Sequence, residues 1–420
     1  MELSTELLMV FALDWAEFAL RWLHVITAIA WIGSSFYFIA LDLGLWRDRD
    51  LPEGVNGEEW QVHGGGFYHI RKYLVAPKDL PEHLVWFKWE SYATWLSGFA
   101  LMVVVYYLGA EIYLIDAEKM ELSVWGAVGI SLASLLVGWL GYSVLCRSEF
   151  GQNSTALMVV LYLIIVAMSW GFAQIFTGRA AFLHLGAITA TIMSANVFLV
   201  IIPNQKIVVA DLKAGRTPDP KYGKIAKQRS THNNYLTLPV IFLMLSNHYP
   251  LAFATEYSWI IAALVFLMGV TIRHYFNTVH ARGGNPKWTW AATAGIFFVI
   301  MALSLAPLMM EKETQDDEAG WDTSTLTGQA SVLAGHEDFE TVTDIVMGRC
   351  SMCHAQEPYY EGFIAPPKGV VLETPNQIAM QAKTILLQSA VSHAMPPANV
   401  TYMEEEERAI IRRWFEASLR

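Results

Sequence analysis

The stretch Thr155-Ala-Leu-Met-Val-Val-Leu-Tyr-Leu-Ile-Ile-Val-Ala-Met-Ser-Trp-Gly-Phe-Ala-Gln-Ile-Phe176 runs for 22 residues without a charged side chain. About 20 apolar residues is the length a helix needs to cross a bilayer, where only intra-segment hydrogen bonds satisfy the backbone. Reading outward by the same criterion, seven further runs qualify, approximately 17–41, 89–110, 122–146, 180–202, 235–254, 258–280 and 288–310. The sequence therefore predicts an all-α fold, with eight transmembrane helices forming a polytopic bundle over residues 1–310. Composition agrees, because 54% hydrophobic, 13% aromatic and 16% charged residues is too apolar a mixture for an ordinary soluble protein. No cleavable signal peptide is expected, since Glu2, Glu6, Asp14 and Glu17 make the N-terminus acidic.

Charge orients the bundle. The connections after the odd-numbered runs carry sixteen Lys and Arg side chains, from Arg47 to Lys287, whereas those after runs two, four and six carry Lys119 and Arg179. Basic loops stay cytoplasmic. An even number of crossings then puts both termini in the periplasm, and the expected location is a bacterial inner membrane. The net charge of −11 is concentrated beyond residue 310, where acids outnumber bases by ten. That balance does not suit a nucleic-acid partner. Residues 311–335, opening with Glu311-Lys312-Glu313-Thr314-Gln315-Asp316-Asp317-Glu318, read as a flexible acidic tether.

The segment 336–420 holds Cys350-Ser351-Met352-Cys353-His354. This C-x-x-C-H run is the attachment signature of a c-type haem, with two thioether bonds and His354 as an axial ligand. A second ligand is sought downstream, where His393-Ala394-Met395-Pro396-Pro397 offers a methionine held by the two prolines that follow it. Met395 is the choice, with Met380 and Met403 as rivals, and Met/His ligation raises the iron potential. A redox dithiol or half of a zinc site is the competing reading; the adjacent His and the lack of a second C-x-x-C oppose it. The expectation is a class I cytochrome c domain, with Phe339, Val342 and Val346 packing ahead of the motif and Ile410, Ile411, Trp414 and Phe415 closing it. Cys146 is expected to be a buried free thiol.

Ionisable residues at membrane depth are costly, which makes them candidates. His24, His184 and His248 all fall in the outer third of the predicted bundle, and two of the three are a possible ligand pair for a b-type haem. Which pair stays open, and each His has the alternative of bonding a neighbouring helix. At the cytoplasmic ends lie His63-Gly64-Gly65-Gly66-Phe67-Tyr68-His69-Ile70-Arg71-Lys72-Tyr73, His232-Asn233-Asn234-Tyr235 and Arg273-His274-Tyr275-Phe276-Asn277. Together these supply cations, amides that donate and accept, and stacking rings, a set suited to a planar anionic heterocycle. Individually they also fit an aromatic belt and a basic cytoplasmic rim.

On these residues the chain resembles the bacterial membrane-bound, cytochrome c-linked urate oxidases, also called urate hydroxylases. The resemblance rests on the His63 to Pro77 loop, Trp86-Phe87-Lys88-Trp89-Glu90, His232-Asn233-Asn234-Tyr235-Leu236-Thr237-Leu238-Pro239, Ser246-Asn247-His248-Tyr249-Pro250 and the C-terminal haem motif. It implies oxidation of urate to 5-hydroxyisourate with cytochrome c, not oxygen, as acceptor. Water supplies the oxygen, and electrons leave through the tethered c-haem to a soluble cytochrome c or terminal oxidase. The resemblance assigns no catalytic residues. From the residues themselves, Lys72 or Arg273 would steer the urate anion, Asn233 and Asn234 would hold it beside His274, and His69 or His232 would take a proton. The rival from another class is a quinol-linked electron-transfer cytochrome without urate chemistry. A transporter carrying a cytochrome tail is weaker still, because no broken-helix pair lies near the midplane. Association with further copies of the chain is left open.

Overall fold

The structure is a computed structural model and describes residues 5–73, 76–77, 80–117, 119–309, 321–361, 363 and 366–418. Two compact units divide the chain, one comprising Glu17–Asn247 and Leu251–Leu305, the other Met1–Ala16, His248–Pro250 and Ala306–Arg420.

The chain is mostly helical, as the apolar runs require. Helix α1 spans Thr5–Gly44, α2 Trp89–Met102, α3 Val124–Arg147, α4 Ser154–Ile175 and α5 Gly178–Ala195. After α5 a π-turn over Asn196–Ile201 leads directly into α6, Ile202–Lys213. Pro203 explains the wider turn: it has no N–H for the carbonyl four residues back, and its ring pushes that carbonyl away. Helix α7 is Pro220–Leu245, α8 Ser258–His280 and α9 Trp288–Met309.

Six helices among the described residues are long and apolar enough to span a membrane: Phe11–Gly44, Val124–Arg147, Ser154–Ile175, Gly178–Lys213, Ser258–His280 and Trp288–Ala306. Two of the eight expected runs fall outside that count. The run at 89–110 divides into α2 and a π-turn, Val103–Tyr107. The run at 235–254 is the apolar end of α7, a helix that begins at Pro220 and whose first half is polar.

A β-hairpin is the other departure from an all-α fold. Strand β1, Val55–His63, pairs antiparallel with β2, Gly66–Tyr73, and His63 lies opposite Gly66. The two-residue turn between them needs two left-handed residues, and Gly64 and Gly65 supply φ values of 58° and 79° without a Cβ penalty.

Helix packing around α7 is unusually close at one crossing. A Cβ on Gly269 of α8 would stand 2.5 Å from Cδ of Pro239, inside α7. Only glycine lets the two backbones approach there, and the contact fixes the register of α7 against α8.

In the second unit α10, Gly328–Ala334, and α11, Phe339–Arg349, pack with the terminal helix α12, Glu405–Ala417. Val342, Val346, Ile411 and Trp414 are fully buried, and Phe339 stacks on Trp414 at 5.9 Å. The spacing seen in the sequence is the spacing of this core. Its start lies earlier than His336: Leu326, Ala330 and Leu333 belong to it, and Trp414 Nε1 donates to the Leu333 carbonyl at 2.9 Å. The first ten residues of the expected tether, 311–320, lie outside the described residues. Glu404 and Glu407 form a reciprocal capping box, so the acidic run serves the start of α12.

Candidate functional site

Helix α7 buries Arg229, His232, Asn233, Asn234 and Thr237, an unusual content for a helix interior. Their short polar side chains compete with the backbone unless they are satisfied elsewhere, and here they bond to other helices. Asn196 is the hub on one side. Its Nδ2 donates to the Tyr142 hydroxyl at 3.1 Å and to Asn233 Oδ1 at 2.9 Å, and its Oδ1 accepts from Arg229 Nη1 at 3.5 Å. Asn233 Nδ2 in turn donates to the Met193 carbonyl at 2.9 Å. Asn196 is the first residue of the π-turn, so the widened backbone is what delivers the amide to this point.

The Tyr142 hydroxyl lies 2.8 Å from His232 Nδ1. With one of its two acceptor sites filled by Asn196, the hydroxyl either donates to Nδ1, leaving the His232 proton on Nε2, or accepts from Nδ1–H, leaving Nε2 free as the base. Turning the hydroxyl hydrogen reverses the tautomer. Either ring nitrogen can thus be made the base, at the cost of one bond rotation.

On another side of α7, Asn234 Oδ1 accepts from Arg273 Nε at 3.3 Å and from Asn277 Nδ2 at 2.9 Å, while Arg273 Nη2 donates to Asn277 Oδ1 at 3.0 Å. The Arg273 guanidinium lies 4.0 Å over the Phe36 ring and that of Arg229 lies 4.8 Å over Tyr142. Arg229 is 2% exposed and Arg273 5%. Among the described residues neither has a carboxylate partner, and the buried Arg229 Nε and Asn234 Nδ2 have no hydrogen-bond acceptor. A buried cation without a counter-charge is strongly disfavoured, as is a buried N–H without an acceptor. Such a site has the chemistry of an anion receptor.

Of the residues singled out in the sequence, the structure brings His232, Asn233, Asn234 and Arg273 into the interior, all carried on α7 and α8. His274 is exposed, with Tyr235 as its hydrogen-bond partner at 3.4 Å. His69 and Lys72 sit on β2 and are committed elsewhere. His69 Nε2 meets Glu58 Oε2 at 2.7 Å and its ring stacks on Trp60 at 4.1 Å, while Lys72 pairs with Asp42 at the end of α1. His69 beside Glu58 holds that carboxyl below its usual range. Tyr142, Asn196 and Arg229 escaped the sequence reading. Asn196 carried a usable signal, an amide inside an otherwise apolar run.

The membrane histidines differ among themselves. Both nitrogens of His184 are engaged, Nε2 with Ser131 Oγ at 2.6 Å and Nδ1 with the Ala180 carbonyl at 2.8 Å, and its ring stacks on Phe176 at 4.7 Å. As it stands, His184 has no free nitrogen for an iron. His24 Nδ1 faces the Thr94 carbonyl at 3.0 Å and Ser97 Oγ at 3.2 Å, and its ring packs so close to Gly98 that a Cβ there would meet Cε1 at 2.7 Å. His248 ends a short 3-10 turn, Ser246–His248. Cys146 is a buried free thiol.

In the second unit Cys350, Cys353 and His354 sit at the end of α11 and on the turn after it. His354 Nδ1 donates to the Val370 carbonyl at 2.9 Å, which fixes the ring and leaves Nε2 as the ligating atom. Burial pushes the Cys350 thiol up to about 12 and raises that of Cys353 as well. These thiols are thus poor thiolate nucleophiles, opposite to what a redox dithiol requires. Met395 is held by its backbone, N–H to the Gln388 carbonyl at 2.8 Å and C=O from Arg408 at 3.1 Å. Met403 is 3% exposed within the core, and Met380 is 40% exposed. The donor set fits a covalently attached haem.

Comparison with curated proteins and with solved structures found no match. The family model described as urate oxidase N-terminal matches residues 10–304. That span is more than two-thirds of the 420-residue chain. It contains every member of the buried amide and guanidinium network, and the chain belongs to the urate oxidase N-terminal family.

Proposed function

We propose that the chain oxidises urate to 5-hydroxyisourate at the α7 network and passes the electrons outward to a cytochrome acceptor. The observation that carries the reading is Arg229, buried, without a carboxylate and with Nε unpaired, in a family named for urate oxidation. Urate is a planar monoanion near neutral pH, and the guanidinium and amide donors match its oxygens and ring nitrogens. Arg229 and the Asn234 amide bind the anion. With Nδ1–H donating to the Tyr142 hydroxyl, His232 Nε2 takes the second proton of urate, and the hydroxyl goes on accepting from Nδ1 of the imidazolium so formed. Urate, water and two one-electron acceptors then give 5-hydroxyisourate, two protons and two reduced acceptors.

Cys350, Cys353, His354 and Met395 would hold a c-type haem. Such a haem supplies a one-electron acceptor of raised potential. A b-type haem would be held by two of His24, His184 and His248, and His184 would have to release Ser131 to serve. We further assign the helical unit to a bacterial inner membrane, eight crossings with both termini periplasmic, by counting 89–107 and the end of α7 with the six longer helices.

The test follows urate absorbance and cytochrome c reduction together, without oxygen, on the purified full-length protein. Two cytochromes reduced per urate support the proposal. Bleaching that requires oxygen and releases peroxide overturns it, and oxidation of an added quinol with urate untouched favours a quinol-linked cytochrome instead.

A further inference from the structure

Arg408 is a charged side chain placed where a tail core would be expected to carry a leucine. It lies in the first turn of α12, is 3% exposed, and its nearest carboxylate, Glu405, is 3.7 Å from Nε and itself mostly exposed. Its hydrogen bonds run to one loop. Nη1 donates to the Ser389 carbonyl and, at 3.1 Å, to the Met395 carbonyl, and Nη2 donates to Asn399 Oδ1 at 3.3 Å. Asn399 Oδ1 also accepts from Met403 N–H at 2.9 Å, and Asn399 Nδ2 donates to the Met403 carbonyl at 3.0 Å. One guanidinium therefore ties both ends of the segment that carries Met395.

That segment needs tying. His393, Ala398 and Asn399 have φ values of 53°, 50° and 52°, a conformation that costs a non-glycine residue energy and persists only where the surroundings impose it. A buried guanidinium is itself costly, by several kcal/mol on the order of the desolvation of an ion, unless its donors are used. The Nη1 and Nη2 contacts offset both costs in part; among the described residues the buried Nε has no hydrogen-bond acceptor and lies 3.7 Å from the Glu405 carboxylate. The planar fork reaches three acceptors at fixed angles, which a lysine ammonium does not reproduce.

We infer that Arg408 is the positioning residue for the sixth haem ligand: it holds the Met395 loop in its ligating conformation and adds a buried positive charge beside it. The inference rests on the assignment of Met395 as ligand and is independent of the urate site. Arg408 touches no substrate, and its effect is read in the ligand field and in the potential. A buried cation favours the reduced, less positive iron, and methionine ligation does the same.

The experiment uses the full-length holoprotein, wild type and the variants Arg408→Gln, Arg408→Lys and Asn399→Gly. Two quantities are measured: the far-red charge-transfer band of a methionine-ligated ferric haem, and the midpoint of the c-type absorbance in a redox titration. Arg408→Gln should lose or weaken the band and shift the one-electron equilibrium toward the oxidised form at least tenfold, about 59 mV for one electron. Arg408→Lys keeps the charge without the fork, so the band should weaken while the midpoint falls less. Asn399→Gly preserves the left-handed backbone, removes one acceptor, and should weaken the band alone. A wild type lacking the band overturns the Met395 assignment and this inference together. A wild type with the band, and variants with band and midpoint unchanged, overturns the inference alone. Should the Arg408 variants fail to accumulate, Asn399→Gly decides, and an unchanged band in that variant overturns it.

Discussion

Tyr142 and His232, 90 residues apart in sequence, share a 2.8 Å hydrogen bond through a hydroxyl oxygen that also accepts from the Asn196 amide. With the hydroxyl accepting from Nδ1–H, Nε2 is the open base, and the same contact persists once His232 is protonated. The direction of this bond decides which ring nitrogen is free as the base.

Replacing Tyr142 by Phe removes the group that accepts from the imidazolium. Urate turnover should fall about tenfold, the equivalent of one lost hydrogen bond to a charged group. Its acid limb should move to lower pH, because protonated His232 loses its partner. A pH–rate profile checks both, and an unchanged profile would remove Tyr142 from the mechanism. His232→Ala should cost about a hundredfold or more while the c-type spectrum stays intact.

Arg229→Met separates binding from folding. Urate affinity should fall about tenfold to a hundredfold, the worth of a charge-assisted hydrogen bond of about 1.5–3 kcal/mol. Thermal stability in detergent should hold or rise, because an uncompensated buried cation is replaced by an apolar side chain of similar length. A protein that unfolds in place of losing affinity would mean that Arg229 is structural.

Gly269→Ala tests the α7–α8 crossing. The new methyl group meets Pro239 at 2.5 Å, and the misfit should destabilise the helical unit by about 1–3 kcal/mol and weaken urate binding through Asn234 and Arg273. Denaturation in detergent and urate titration on the same sample measure the two effects.

The tail should lose stability in acid. Burial pushes the Glu407 carboxyl up, and Arg349, whose Nε donates to both carboxyl oxygens at 3.0 Å, reverses this and holds it below its ordinary value of 4.5. A carboxyl depressed by folding contributes fully above its unfolded value and loses that contribution as pH falls through the folded one. Denaturant unfolding followed by the c-type spectrum should therefore weaken below about pH 4.5, and Glu407→Gln should flatten the dependence. Equal slopes in the two proteins would contradict the assignment.

Orientation is tested by fusion. A reporter active only in the periplasm should work after Arg420 and be silent between Lys206 and Arg229. The reverse pattern would invert the bundle.

What the sequence determined by itself follows from local physics. Six of the apolar runs are helices of spanning length because a backbone in hydrocarbon has no alternative to helical pairing. The tail core was legible at Phe339, Val342, Val346, Ile411, Trp414 and Phe415, since a 3.6-residue period commits one face to burial. Gly64-Gly65 also carried a hairpin signal, but it was masked by the expectation of a loop between helices.

Tertiary structure decided the site. Arg229 looked like one more basic loop residue because the apolar run begins after it; α7 starts at Pro220, and packing against the π-turn after α5 buries Arg229 while the lysines before it stay exposed. Asn196 and Tyr142 acquire meaning only together, since a hydrogen bond between residues 54 apart leaves no trace in local spacing. For the same reason His69, equal to His232 on the page, is separated from it in space: a strand partner, Glu58, claims its ring nitrogen, while α7 delivers His232 to a buried hydroxyl.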